Sequence, residues 1–199
     1  MISGNDRLVS ESVWDPLTRI WHWLIALSVV AGWLLGEFRN FSIMQWHFYA
    51  GYCTLGLLGF RMFWGFIGPK PVRWSTLLGA LGGIPRYLRE MFSRTPSGCR
   101  GHSPVGALAS LVFLGLIVVQ ASTGLFAEDD GLFYEGPLSD LLSSDGVRLA
   151  TRWHNNVASA LLVMFGLHIG AMVFYAVWKK ENLVRAMLTG VKAVRKSGP

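Results

Sequence analysis

The amino-acid sequence predicts an all-α integral membrane protein, a four-helix bundle, and three observations lead to that prediction. Hydrophobic residues make up 52% of the 199 residues and charged residues only 15%, whereas soluble domains carry about 25% charged residues. The apolar residues are gathered into four stretches without a charged side chain, each 17 to 27 residues long. A helix needs about 20 such residues to cross a membrane. We expect one domain over residues 1–199; the composition excludes a disordered chain and disfavours a soluble enzyme.

Four predicted helices follow one another along the chain. Their predicted spans, in order, are about 16–36, 43–65, 104–126 and 147–178. The first begins with Asp15 and Pro16, which fit the N-cap and the first position of a helix. A further apolar stretch, 74–85, is too short to cross a membrane, and the segment 84–92 carries both arginines and apolar residues. We therefore expect a short interfacial helix between the second and third spans.

Basic residues are distributed unevenly between the loops. With four spans, 15 of the 18 Lys and Arg residues fall on one side of the membrane, and the other side has only Arg39, Arg148 and Arg152. Because cytoplasmic segments carry the excess of basic residues, the sequence predicts that the N- and C-termini are both cytoplasmic. We attribute the net charge of +6 to this topology and expect no nucleic acid partner.

The loop 127–152 then faces outward. It carries six acidic residues: Glu128, Asp129, Asp130, Glu135, Asp140 and Asp145. The positive-inside rule does not require acids in an outer loop. We interpret them as a surface that steers a basic protein partner toward the membrane. The alternative is that they only keep an exposed loop soluble.

All five histidines lie within or beside the predicted spans, where an ionisable side chain is costly and usually functional. His154 and His168 are 14 residues apart in the fourth span, which on a helix is about 21 Å along the axis with about 40° between their directions. His22 lies at the depth of His168, near the cytoplasmic surface. His47 lies at the depth of His154, near the outer surface. The sequence therefore predicts two pairs: the inner pair joins His22 to His168, and the outer pair joins His47 to His154.

Two facing imidazoles with no thiolate or carboxylate nearby suit the axial positions of a haem iron. Zinc requires four ligands, a di-iron site requires carboxylates within the spans, and haem c requires a Cys-x-x-Cys-His motif. None of these patterns occurs in the sequence, which therefore predicts two haem b groups. Gly51, Gly166 and Gly170 lie beside the ligands, where they make room for a flat macrocycle or, alternatively, serve helix packing.

Other polar residues near the two pairs are candidate contacts of the cofactor. Arg19 and Arg61 at the inner haem and Arg152 at the outer haem are candidates for the propionates. The alternative is that each arginine only anchors the topology at the membrane surface. His102 opens the third span at the depth of the inner pair, but Pro104 holds it outside the helix. We therefore expect His102 to contact a quinone or a propionate rather than the iron.

Several motifs along the chain point to a known family. They are VWDPLTRIWHW at 13–23, RMFWG at 61–65, GHSPVGA at 101–107 and QASTGLF at 120–126, together with His47 and Gly51 and the spacing of His154 and His168. Through these motifs the sequence resembles the bacterial diheme cytochrome b561 family, which includes the b-type cytochrome subunits of membrane nickel-iron hydrogenases. The resemblance implies a quinone-linked electron carrier with four helices and two haems. It also implies that the first, second and fourth helices supply the ligands.

The combined prediction is a multi-pass protein of the bacterial cytoplasmic (inner) membrane that transfers electrons between the quinone pool and an extracytoplasmic redox partner. A c-type cytochrome and a hydrogenase-like subunit are the partners we consider, and quinone is the expected substrate. The protein is then an electron-transfer protein or a subunit of a quinone-linked oxidoreductase, such as a hydrogenase-anchoring cytochrome b. One alternative is a stand-alone superoxide:quinone oxidoreductase of the same family, which the acidic outer loop disfavours. Another is a small ion or proton channel with histidine relays, which would be colourless.

Overall fold

The structure, a computed structural model, describes residues 8–129, 131 and 133–195. Arg7 and Lys196, which contribute to the predicted topology, and Asp130 of the acidic loop lie outside the described residues. The chain forms two compact units. The first unit comprises Met1–Ile20, Phe63–Leu111 and Gly166–Pro199, and the second unit comprises Trp21–Met62 and Val112–Phe165.

Helices dominate the described part of the chain. The helices are α1 (Pro16–Glu37), α2 (Met44–Ile67), α3 (Trp74–Ala80), α4 (Ile84–Glu90), α5 (Pro104–Gly124), α6 (Ser144–Val177) and α7 (Leu183–Thr189). The strands are β1 (Leu8–Ser12), β2 (Glu128–Asp129), β3 (Tyr134–Glu135) and β4 (Val191–Arg195). The four long helices coincide with the four predicted spans to within three residues at each end. Two short helices, α3 and α4, occupy the segment for which one was predicted.

The helix starts follow from local capping chemistry. Asp15 Oδ1 accepts a hydrogen bond from the Thr18 backbone N–H at 3.0 Å, so Asp15 is the predicted N-cap of α1. At α5, Ser103 Oγ accepts from the Gly106 N–H at 3.2 Å, and Pro104 is the first helical residue. His102 therefore lies before the helix, as the sequence predicted.

Three helices in the described part of the chain, α1, α5 and α6, are long and apolar enough to cross a membrane. Helix α2 has 24 residues, but it includes several polar residues, among them Arg61. Large apolar side chains such as Leu27, Phe63 and Val163 are more than 60% exposed. Surfaces of this kind are unfavourable in water and favourable in lipid, so the protein is a membrane protein.

The first unit contains a small sheet that the all-α prediction missed. Strand β1 pairs antiparallel with β4, from Leu8 opposite Arg195 to Ser12 opposite Val191. Five buried residues form the apolar core beneath it: Val13, Trp14, Val72, Ala186 and Val194. The protein is mostly helical, as predicted, and the two short strands, which lie far apart in the chain, were not predicted. A second strand pair, β2 with β3, forms a hairpin in the second unit.

The first unit also contains a buried ion pair. Lys192 Nζ lies 3.2 Å from Glu181 Oε1, and each side chain is only 6% exposed. Lys192 Nζ also donates to the carbonyl of Gly101 at 3.1 Å. Glu181 accepts from the backbone N–H of Ser97 at 2.9 Å and from its hydroxyl at 3.1 Å. The charges are therefore satisfied by hydrogen bonds, as burial requires.

In the second unit, parts of α1, α2, α5 and α6 pack on one another through small and polar contacts. Between α1 and α2, Trp21 Nε1 donates to the Leu57 carbonyl at 2.8 Å, and the buried hydroxyls of Ser28 and Thr54 are 2.7 Å apart. Hydrogen bonds between helices are expected where lipid surrounds them, because lipid offers no alternative partner.

Candidate functional site

The structure brings the two histidines of the predicted outer pair together. His47 projects from α2 and His154 from α6, and their ring centroids are 6.0 Å apart at an interplanar angle of 79°. Both side chains are only partly exposed. Both residues belong to the second unit, so the pair is formed within a single compact body.

A backbone carbonyl fixes each of the two rings. His47 Nδ1 lies 2.8 Å from the Gly32 carbonyl oxygen on α1, and His154 Nδ1 lies 3.0 Å from the Gln120 carbonyl oxygen on α5. A carbonyl only accepts, so Nδ1 carries the proton and donates in both rings. Each Nε2 therefore has a lone pair, and that of His154 accepts a hydrogen bond from the Gln120 side-chain amide at 3.1 Å. Metal-ligating histidines are held in this way, with one nitrogen bound to a carbonyl and the other free for the metal.

Two glycines allow the rings to approach the neighbouring helices. A Cβ at Gly36 would lie 3.1 Å from His47 Cε1, and a Cβ at Gly124 would lie 2.8 Å from His154 Cε1. Any larger residue would push the rings out of position. Sequence reasoning did not assign a role to these glycines or to Gln120, although Gln120 and Gly124 both lie in the QASTGLF motif.

The ring separation leaves room for a metal ion between the two imidazoles. A bond between a metal and an imidazole nitrogen is about 2 Å long, and the ring centroids are 6.0 Å apart. His47 and His154 are therefore the residues that would hold such an ion. In the described part of the chain, no group of three or more His, Cys, Asp or Glu side chains is arranged to hold a metal ion.

The histidines of the predicted inner pair belong to different compact units, His22 to the second and His168 to the first. Their pairing stays a prediction. His22 stacks edge-on against Trp23, with ring centroids 5.3 Å apart. Arg61 belongs to the same unit as His22; it is 6% exposed and its guanidinium lies 5.7 Å from the centroid of the Trp21 ring.

Three glycines were predicted to make room for a macrocycle, and all three lie next to open space. A Cβ added at Gly51, Gly166 or Gly170 would meet nothing within 4 Å. At Gly36 and Gly124, by contrast, an imidazole ring occupies the space that a Cβ would need.

The other candidate contacts, Arg19, Arg152 and His102, have different neighbours. Arg19 donates a hydrogen bond to the Leu188 carbonyl at the end of α7. Arg152 is exposed two residues before His154. His102 packs edge-on against the buried Trp14, with centroids 4.8 Å apart. Arg19 and His102 belong to the first unit, whereas Arg152 belongs to the second unit, together with the outer pair.

A pair of phenols lies in the same unit as His102. Tyr87 on α4 and Tyr175 on α6 share a hydrogen bond between their hydroxyls. Burial, and next this hydrogen bond, raises the pKa of the Tyr87 phenol, so it stays protonated to more alkaline pH than a free phenol.

The acidic loop is only partly available to a partner. Asp129 Oδ2 forms an ion pair with Arg39 Nε at 2.8 Å, and Asp145 pairs with Arg148. Glu128 is half-buried, whereas Glu135 and Asp140 are exposed. Glu135 and Asp140 are therefore the acids best placed to attract a basic surface.

Comparison with known proteins identifies similar sequences over most of the chain. A family model described as prokaryotic cytochrome b561 matches residues 13–190. A probable Ni/Fe-hydrogenase B-type cytochrome subunit of Azotobacter vinelandii is 26% identical over 223 aligned residues, which cover 94% of this chain and 90% of the relative. The corresponding protein of Rhodobacter capsulatus is 26% identical, over 92% of this chain and 82% of the relative. A probable Ni/Fe-hydrogenase 1 B-type cytochrome subunit of Escherichia coli is 29% identical over 62% of this chain and 63% of its own length. No solved structure matches the chain.

Proposed function

This chain belongs to the prokaryotic cytochrome b561 family, and from that premise we propose that it is a diheme cytochrome that carries electrons between the quinone pool and an extracytoplasmic redox partner. Its family and its apolar helices make it a membrane b-type cytochrome.

The observation that carries the proposal is the arrangement of His47 and His154. Their Nδ1 atoms donate hydrogen bonds to carbonyls of α1 and α5. Both imidazoles are therefore neutral, and each Nε2 carries a lone pair that can bind a metal. Neutral imidazole is the form that is cheapest to bury in a membrane. Haem b, when bound, supplies reversible one-electron chemistry. The carbonyls of Gly32 and Gln120 fix the orientation of the two rings, which would hold the haem without rearrangement of the protein.

For the inner haem we propose His22 and His168 as ligands, from the depth of each residue in its span. The buried Arg61 supports this site, because a buried cation is stabilised by an anionic group nearby and a haem propionate is such a group. Arg152, exposed beside His154, is the corresponding candidate at the outer haem. Arg19 is the weaker candidate, since it donates to the Leu188 carbonyl.

We further propose that α1, α2, α5 and α6 form a four-helix bundle in the bacterial inner membrane, with both termini cytoplasmic. The uneven distribution of basic residues supports this orientation. The segment from α3 to α4 then lies at the cytoplasmic surface. His102, packed on Trp14 near the start of α5, is a candidate contact for the quinone head group.

The relatives support a particular kind of partner. The three relatives described above are named as cytochrome subunits of Ni/Fe-hydrogenases, and two of them align with more than nine-tenths of this chain. We therefore favour a hydrogenase-like subunit over a c-type cytochrome. A superoxide:quinone activity is less favoured, because the exposed acids Glu135 and Asp140 would repel the superoxide anion.

The test is a set of single histidine variants of the purified full chain. Reduced-minus-oxidised spectra and the ratio of haem to protein are measured for His22→Ala, His47→Ala, His154→Ala and His168→Ala. We expect His47→Ala and His154→Ala to lose the same haem, which leaves about half of the pigment, and the other two variants to lose the other haem. Asn155→Ala, an exposed neighbour of His154, is the matched control and should keep both haems.

Two results would contradict the proposal. One is a colourless wild-type protein after expression with ample haem. The other is an identical residual spectrum for His47→Ala and His168→Ala, which would mean that these two residues, assigned to different haems, ligate the same one.

A further inference from the structure

Gln120 is a polar residue in an apolar stretch of α5, a helix that contains no histidine. It touches His154 twice. Its backbone carbonyl oxygen accepts from His154 Nδ1 at 3.0 Å, and its side-chain Nε2 lies 3.1 Å from His154 Nε2. One residue therefore contacts both nitrogens of one imidazole.

The two contacts have defined directions. His154 Nδ1 carries the proton because it faces a carbonyl. His154 Nε2 is then an acceptor, and the Gln120 side-chain NH₂ is the donor. The carbonyl end of the same carboxamide, Oε1, is buried and accepts no hydrogen bond from a described residue. The positive end of the amide dipole therefore points at the ligating atom of His154, and the negative end points away from it.

The contact at Nε2 is made at the atom that would bind iron. Because Nε2 has a single lone pair, it cannot serve the amide and the iron together. The amide N–H would be released beside the iron-binding face, while the backbone contact to Nδ1 would remain. The backbone contact holds Gln120 beside His154, so its amide would stay near the iron, where the low dielectric strengthens the effect of the dipole.

We propose that Gln120 is a positioning and potential-setting residue of the outer haem: its backbone carbonyl orients His154, and its side-chain N–H raises the reduction potential of the iron. The inference rests on the proposed function, in that His154 is an iron ligand. A positive dipole end near the iron favours the added electron of the ferrous form. The residue acts through the ligand and the local field and takes no part in bond making.

The experiment compares Gln120→Leu and Gln120→Met with wild type by redox titration of the visible spectrum and by electron paramagnetic resonance of the ferric protein. Leu and Met remove the amide and keep an apolar side chain of similar size. Gln45→Leu is the matched control: Gln45, the only other glutamine, is exposed on α2 and donates to Tyr49. We expect both Gln120 variants to keep two haems, with one midpoint potential lowered by about 59 mV, which is a tenfold change in a one-electron equilibrium constant. The other haem and the Gln45→Leu protein should be unchanged.

The outcomes separate this inference from the proposed function. Two haems with wild-type potentials in both Gln120 variants would overturn the inference and leave the ligand assignment standing. Loss of the outer haem from both variants would also overturn it, because the carboxamide would then be a support of the pocket. Full haem content in His154→Ala would instead refute the ligand assignment on which the inference rests.

Discussion

Replacing Gly124 by alanine tests the packing of the outer site most directly. A Cβ added at Gly124 would lie 2.8 Å from His154 Cε1 and 3.1 Å from its Nδ1. Carbon atoms in contact prefer a separation of about 3.5–4.0 Å, so the ring or the end of α5 must move by about 0.7 Å. A shift of that size away from α5 would stretch the 3.0 Å bond from His154 Nδ1 to the Gln120 carbonyl beyond hydrogen-bonding distance.

The added methyl group changes three contributions to the free energy of the site. Overpacking of a well-filled site costs about 1–3 kcal/mol, and the lost hydrogen bond costs about 0.5–1.5 kcal/mol. Alanine in a helix recovers up to about 1 kcal/mol relative to glycine. The net cost is paid by displacement of the His154 ring, which weakens its binding to the haem. We therefore expect Gly124→Ala to weaken retention of one haem by about tenfold or more.

The assay follows haem loss to apomyoglobin from the purified protein, together with electron paramagnetic resonance of the ferric form. Gly115→Ala, also in α5 but with nothing within 4 Å of its Cβ, is the matched control and should behave as wild type. Gly36→Ala, whose Cβ would lie 3.1 Å from His47 Cε1, should give a smaller effect of the same kind. Equal haem loss and equal spectra for Gly124→Ala and Gly115→Ala would refute the reasoning.

Three further predictions concern other parts of the molecule. His102→Ala should keep both haems with unchanged bis-imidazole spectra, because His102 lies outside α5; loss of one haem on extraction would contradict this. Glu135→Gln combined with Asp140→Asn should weaken the dependence of electron transfer to a basic redox protein on ionic strength, and stopped-flow rates equal to wild type at every salt concentration would remove these acids from the docking surface. Lys192→Met leaves the buried carboxylate of Glu181 without its cation and should cost about 3–5 kcal/mol of unfolding free energy, whereas Arg148→Met at an exposed pair should cost less than about 1 kcal/mol. Similar chemical-denaturation midpoints of the two variants in detergent would contradict this prediction.

The long helices could be predicted because their determinants are local. The apolar stretches set their length, and α1 begins where Asp15 and Pro16 placed it. The pairing of β1 with β4 could not be predicted in this way. Its strands have five residues each and meet only because residues 8–12 and 191–195 are brought together by the rest of the first unit. An isolated two-stranded sheet is at best marginally stable, so its stability comes from the packing of Val194 in β4 with core residues such as Trp14.

For the outer pair, the sequence predicts the depth of each histidine in the membrane but not the orientation of its ring. Depth along a membrane helix follows from counting residues, and counting placed His47 and His154 at one level. Rotation about the helix axis and the tilt of each ring depend on the neighbouring helix. In this structure they are set by the backbone carbonyls of Gly32 and Gln120 and by the close approach that Gly124 permits. Every residue has a carbonyl, so the partner of Nδ1 leaves no mark in the sequence. The side chain at position 120 and the missing side chain at position 124 do leave one, and variants at these two positions therefore probe the ring orientation without changing either histidine.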